Sequence, residues 1–337
     1  STRVRSSAAS DVYKRQVKHM PVTLAEAKLN VLDDLQAMTI DEYAKSNFIW
    51  NHIIFDDVVS PVGGGATLTY SYNRVKTQPK ADFRLVNEEY TAQEADKEQK
   101  SVNLAIFGGS YKVDRVIAKM GGVENEVTFQ MQQKIKAASA LWNDTVINGD
   151  TGTNNKAFDG LEKALTGSST EYKPAAAIDL SSGSAIDSNY KTFLDALDEC
   201  LGLMDGEPSA LLMNAALFTK FKAVVRRAVA YTETKDDFGR PVLTYNGIPI
   251  VNLGAKSGSN DPVVPIDTAK STTSLYAVRF GIDGFHAVSM AGVAPVQTWL
   301  PDFKTSGAVK SGEVEMVAAV ALKATKAAAV LRNIKVK

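Results

Sequence analysis

GEPSALLMNAALFTKFKAVVRRAVA at positions 206–230, followed by GRPVLTYNGIPIVNLG at 239–254, sets the fold class. SALLMN (209–214) follows Pro208 and reads as a buried strand, because it is a short apolar run bounded by turn formers. AALFTKFKAVVRRAVA follows directly and reads as a helix. In GRPVLTYNGIPIVNLG two short strands flank Asn246-Gly247, a dipeptide whose backbone accepts the positive φ angles of a tight hairpin turn. Strand and helix in alternation point to an α/β lobe.

Outward from this stretch the pattern changes. Upstream, 188–204 reads as helix and the Ser-, Thr-, Gly- and Ala-rich 166–188 as loop. Downstream, SLYAVRFG (274–281) and GFHAVSMA (284–291) read as a strand pair, and the tail from Gly312 as mostly strand, although its alanines favour helix. The apolar side chains of Val127, Met131, Ile135, Ala138, Trp142 and Val146 recur every three or four positions, so 123–148 reads as a long helix stopped by Asn148-Gly149. At 1.5 Å per residue it is about 40 Å long, a spine across its domain. YKVDRVI (111–117) is a strand between Gly108-Gly109 and Gly121-Gly122, which read as punctuation.

Nearer the N-terminus, ATLTYSYNRV (66–75) and KSVNLAIFGG (100–109) read as two long strands around a charged segment poor in apolar residues. That is a hairpin projecting from the body, and an isolated hairpin is marginal in water, so it packs on something else. Gly63, Gly64 and Gly65 precede it as a hinge; with no Lys-Ser/Thr and a strand instead of a helix after them, they do not form a phosphate cradle. Thr23 and Glu26 have capping-box spacing and open a helix over 23–48, and Thr39 to Glu42 repeats the pattern for a short second helix ending near Ser46. Residues 1–19 are Arg- and Ser-rich without an apolar core; they read as a leader from cloning or gene-calling, with Met20 as the native start, although a transit peptide also fits the composition.

Composition narrows the chemistry. The 337 residues carry 38 Lys+Arg and 38 Asp+Glu, so the net charge is +0, without the basic excess of a dedicated nucleic-acid binder. No run of 18 or more apolar residues suggests a membrane span. The lone cysteine, Cys200, lies among Phe193, Leu194, Leu197 and Leu201 and reads as a buried thiol. His19, His52 and His286 are far apart, so no metal site is expected, and His286 reads as a satisfied surface or core histidine. The carboxylate pairs Asp33-Asp34, Asp56-Asp57 and Asp236-Asp237 are sequence neighbours whose side chains diverge, and nothing forms a nucleophile–base–orienter set, so no catalytic, metal or cofactor residue is expected. Lys220, Lys222, Arg226 and Arg227 make a basic helix face, read as solvated.

The order VSPVGGGATLTYSYNRV, GSYKVDRVIAKMGG, VENEVTFQMQQKIKAASALWNDTVINGD, FDGLEKAL, then EPSALLMN with GRPVLTYNGIPIV, and finally GEVEMVAAVALKATKAAAVLRNIKV resembles the major capsid protein family of tailed bacteriophages from Met20 to the end. The resemblance implies an α+β chain with the Hong Kong 97-like fold. An N-terminal arm would span 20–62, an extended hairpin (the E-loop) 63–108, a P-domain on the spine helix 109–158 with 301–337, and an α/β A-domain 159–300. It implies hexamers and pentamers closing into an icosahedral shell around phage DNA, a separate scaffolding protein, a portal, nonspecific contact with the DNA, and no membrane. The protein would be a non-enzymatic virion component, assembled in the host cytoplasm. Glu88, Glu89, Glu94, Asp96 and Glu98 at the hairpin tip would face basic groups of a neighbouring subunit. Some relatives crosslink through a Lys and an Asn; Lys76, Lys80, Lys97 and Asn333 match no such motif, so no crosslink is assigned. An encapsulin, which shares the fold, is the nearest rival; an α/β enzyme and a surface adhesion protein are more distant ones.

Overall fold

The computed structural model describes residues 48–60, 67–115, 123–228, 232–235, 241–256, 259 and 261–337, all within the unit Tyr43–Lys337. The helical segments expected upstream of Phe48, and Gly63, Gly64 and Gly65, lie outside the described residues. The chain runs α1 (Phe48–His52), β1 (Phe55–Val59), β2 (Thr69–Thr77), β3 (Asp96–Asn103), β4 (Ala105–Asp114) and α2 (Val123–Asn148). It continues through α3 (Leu161–Leu165), β5 (Glu171–Tyr172), β6 (Ile178–Asp179), α4 (Gly183–Gly202), β7 (Ala210–Met213) and α5 (Ala215–Ala228). The last part holds β8 (Thr232–Lys235), β9 (Pro241–Tyr245), β10 (Ile248–Asn252), β11 (Thr272–Val278), β12 (Phe285–Met290), β13 (Val296–Trp299), β14 (Val309–Leu322) and β15 (Ala328–Lys335).

Strand β14 organises the five-stranded sheet. One edge pairs antiparallel with β4 from Val309↔Asp114 to Ala318↔Ala105. The other edge pairs with β13 at Glu313–Met316 and with β12 at Ala318–Leu322, and β1 lies parallel to β12. Helix α2 covers one face. The side chains of Met131, Ile135, Ala138, Trp142 and Val146 are buried, as the helical spacing requires. The Trp142 ring stacks on Phe107 of β4 at 5.8 Å and meets Phe158 at 5.3 Å and Trp50 at 5.9 Å. Gly108 of β4 faces β14 so closely that a Cβ there would lie 1.9 Å from the Val314 carbonyl oxygen. A side chain at this position would push the strands apart.

The eight-stranded sheet has the order β5-β15-β11-β7-β10-β9-β8, with β6 also on β15. β7 and α5 follow the expected strand–helix succession. Asn246 (φ 49°) and Gly247 (φ 83°) form the turn between β9 and β10. The Asn214 side chain accepts the Leu217 N–H at the start of α5, which fixes that strand-to-helix corner. Helices α4 and α5 cover one side through Phe193, Leu197, Leu217, Phe221, Val224 and Val225. The tail is strand, β14 and β15; here packing between layers overrides the helix preference of alanine.

Three readings need correction. Segment 166–188 is not featureless: β5 and β6 add to β15, and α4 begins at Gly183, capped by the Ser182 hydroxyl accepting the Ala185 N–H. The strand read over 100–109 is two strands. At Leu104, whose N–H goes to the Leu68 carbonyl, the chain leaves its partner β2 and joins β14, so Gly108-Gly109 is strand interior. The strands at 274–291 do not pair with each other: β11 lies between β15 and β7, and β12 between β1 and β14. Both are buried on both faces, and a continuous apolar run does not reveal its neighbours.

Trp142→Ala removes the side chain on which α1, β1, β4 and the 158 loop converge. We expect it to lower unfolding stability by about 3–5 kcal/mol, measured by urea denaturation.

Candidate functional site

Among the described residues, strands β2 and β3 pair only with each other, from Thr69↔Asn103 to Thr77↔Asp96. The proximal half is tied to the body. Tyr70 Oη donates to Asp56 Oδ2 at 3.0 Å, and Tyr72 Oη to the Leu322 carbonyl at 3.0 Å. Arg74 donates from Nε to the Lys323 carbonyl (2.9 Å), from Nη1 to Thr325 Oγ1 (3.0 Å) and from Nη2 to the Leu322 carbonyl (2.7 Å). Among the described residues 78–95 is exposed throughout. Five polar contacts from three side chains therefore set the angle at which an exposed arm is presented.

Glu88, Glu89 and Glu94 lie in that exposed segment, whereas Asp96 and Glu98 are on β3. They are not one cluster. Glu88 Oε2 accepts the Leu85 N–H at 3.0 Å, and Glu98 is 2.5 Å from Lys100 Nζ. The Lys100 ammonium holds the Glu98 carboxyl below the usual carboxylate range. The segment is also not poor in apolar side chains: Phe83, Leu85, Val86 and Tyr90 stand in solvent, Phe83 at 107% of its reference exposure. The run Phe83-Arg-Leu-Val86 carries the signal for this in the sequence.

At the hairpin base, His286 on β12 is fully buried and neither ring nitrogen has a hydrogen-bond partner, so it is not the satisfied histidine expected. Its ring meets the Tyr70 ring edge-on at 5.8 Å, and Nε2 is 3.9 Å from Asp56 Oδ2. Lys323 Nζ lies 3.8 Å from the same oxygen and over the Tyr70 ring. Burial and the Lys323 charge push the imidazole below its ordinary value, against the pull of Asp56, the Gly284 backbone and Asp283.

The other candidates resolve into structural roles. Asp56 serves Tyr70 while Asp57 accepts the Gly292 N–H, so this pair does divide; Asp33, Asp34, Asp236 and Asp237 lie outside the described residues. Cys200 is buried and its thiol is pushed up to about 12. Of the basic face, Lys220 donates to the Ser181 carbonyl, Arg227 pairs with Asp187, and Lys222 lies over the Phe218 ring. Glu162 and Glu171 do come together, but on the Arg332 guanidinium. That guanidinium pairs with both and ties β15 to α3 and β5. Among the described residues no group of three or more His, Cys, Asp or Glu side chains could hold a metal ion, and no helix is long and apolar enough to cross a membrane.

No family model and no curated protein matches the sequence. Solved structures do match the fold. The holo-SrpI encapsulin complex of Synechococcus elongatus aligns with a TM-score of 0.61 at 17% identity, covering 87% of this chain and 89% of that one. The capsid of a native GTA particle aligns at 0.55 and 13% identity (85% and 89% covered). The capsid of Myoviridae phage XM1 aligns at 0.52 and 12% identity (85% and 91% covered). The architecture is the Hong Kong 97-like fold found in phage capsids and encapsulins, so the fold expected from the sequence is the one observed.

The buried imidazole sets a pH dependence. The unfolded chain takes up the histidine proton near 6.5, before the folded chain does. Stability is therefore fully present above that pH and falls as pH drops below it, until the lower folded-state value is passed. His286→Leu should flatten the slope of unfolding free energy against pH in this window by up to about 1.4 kcal/mol per pH unit, measured by urea midpoints. Identical slopes in the two proteins would refute the assignment.

Proposed function

We propose that this chain is the subunit of a closed icosahedral shell, a major capsid protein of tailed-phage type that assembles as hexamers and pentamers around DNA. The observation that carries the reading is the hairpin: an arm fixed at its base by Tyr70, Tyr72 and Arg74, with its far half and several apolar side chains in solvent. Such an arm is a liability on a monomer and a contact in an assembly. Heterologous contacts of this kind close into rings when each arm reaches the next copy. In this reading 109–158, with α2, and 301–337 form the P-domain, and 159–300, with α4 and α5, forms the A-domain. Its role is structural and not catalytic. A separate scaffolding protein and a portal complete the particle in the host cytoplasm, and contact with DNA is nonspecific, in keeping with the net charge of +0.

A second reading is favoured by the encapsulin alignment, whose TM-score of 0.61 exceeds those of the two capsids described above. In an encapsulin the same shell holds cargo protein instead of DNA. The absorbance ratio of purified particles and the nucleic acid recovered from them separate the two readings.

Velocity sedimentation with negative-stain imaging, on protein expressed from Met20, should give capsomers, closed shells or tubes. A monodisperse monomer or dimer at all salt concentrations, with scaffold added, would overturn the shell reading. Within the assembly, the acids Glu88, Glu89, Glu94, Asp96 and Glu98 face basic groups of a neighbour. Replacing all five with Gln or Asn should weaken assembly at low salt and flatten its salt dependence, since exposed charge pairs are screened. Unchanged assembly curves would remove the acids from the contact.

A further inference from the structure

The sequence holds two Asn-Gly steps, Asn148-Gly149 and Asn246-Gly247, and the fold treats them in opposite ways. Asn148 is the last residue of α2 and is locked. Its Nδ2 donates to Asp144 Oδ1 at 2.7 Å and to the Val263 carbonyl at 2.6 Å. The Gly149 N–H donates to the Thr145 carbonyl at 2.8 Å. Gly149 is buried, and a Cβ there would lie 2.2 Å from the Phe158 carbonyl oxygen. Neither the side chain nor the following backbone nitrogen can move without breaking these contacts.

Asn246-Gly247 stands at the tip between β9 and β10, where Tyr245 pairs with Ile248. Both residues are exposed, and both carry positive φ, 49° and 83°. A ladder closed through Tyr245 and Ile248 leaves the Gly247 N–H with no carbonyl opposite it. Among the described residues no hydrogen bond holds that N–H or the Asn246 side chain. Beyond its chain neighbours, nothing lies within 4 Å of the place a Gly247 Cβ would take. This step therefore meets the conditions for an intramolecular reaction. A backbone nitrogen that loses its proton is a nucleophile, and the side-chain carbonyl carbon of the preceding Asn is already tethered beside it. Glycine has no Cβ to hinder the approach.

We propose that Asn246 is a self-modification site, converted without an enzyme to aspartate and isoaspartate. The deprotonated Gly247 nitrogen attacks Asn246 Cγ. The new C–N bond closes a succinimide ring, and the side-chain nitrogen takes up a proton and leaves as ammonia. Water then adds to either ring carbonyl. Opening of the bond to Cγ gives aspartate with the main chain unchanged. Opening of the bond to the Asn246 carbonyl carbon gives isoaspartate, with the main chain routed through the former side chain. No oxidant or reductant takes part. Either product adds a negative charge to a chain whose net charge is +0. Aspartate before glycine suits the same turn. Isoaspartate lengthens the main chain within a two-residue turn, and so disturbs the register of β9 on β10. The reaction needs only the turn and its exposure, so it stands apart from the shell reading.

The test follows the purified full chain over time in mildly alkaline buffer. Samples are digested under acidic conditions, which halt the reaction, and read by peptide mass spectrometry. Asn246 should gain the mass of an amide-to-acid exchange, faster at higher pH, because the attacking nitrogen must lose its proton. A protein isoaspartate methyltransferase should label the product in that peptide. Fragment ions separate Asn246 from Asn252, whose side chain accepts the Gly254 N–H. Asn148 should convert about 100-fold more slowly, because three hydrogen bonds must open first. In urea, where the fold is lost, the two steps should convert at similar rates. Equal rates at Asn148 and Asn246 in the folded chain would overturn the proposal. So would an Asn246 that stays intact over the time in which the chain in urea converts at both steps.

Discussion

Strand β14, fourteen residues long, is paired on both of its edges. β4 occupies one edge, and β13 and β12 share the other. After Leu322 the chain turns through a 3-10 segment at Thr325–Ala327 and enters the second sheet as β15, between β11 and the short strands β5 and β6. The last strand pair of the chain thus belongs to both sheets. The core follows: Tyr276 and Val278 of one sheet and Ala318, Val320 and Leu322 of the other lie in a single apolar cluster with Trp142.

The hairpin is fixed by the same passage. Its three anchoring side chains end on Asp56, Leu322, Lys323 and Thr325, where β14 gives way to β15. Backbone carbonyls at a strand end have no ladder partner, and the Arg74 guanidinium satisfies two of them at once. The polar set beside it is less complete. His286 lies buried against Tyr70 with Asp56 and Lys323 near, so the charge state of one imidazole bears on the packing of the arm's root. An exposed arm on a rigid root is what a shell subunit requires, because the position of the tip then follows from the body that carries it.

Elements whose signal is local were legible in the residues alone. The stripe from Val127 to Val146 matches α2 with Asn148 as its last residue, and Asn246-Gly247 turns the chain with positive φ at both residues. The succession β7–α5 and the strand character of β14 and β15 were legible for the same reason: periodicity and turn chemistry act between near neighbours. What stayed hidden was partnership. The chain switches from β2 to β14 at Leu104, and β11 and β12, consecutive in sequence, separate into different sheets. No local pattern records either, since an apolar strand is satisfied by any apolar cover. The same limit governed the site. The acids of the hairpin could be read directly, but the exposure of Phe83 and the buried His286 beside Asp56 exist only once strands far apart in sequence are laid side by side. Tertiary structure alone decided these, because exposure belongs to the packed assembly of strands and not to any residue within it.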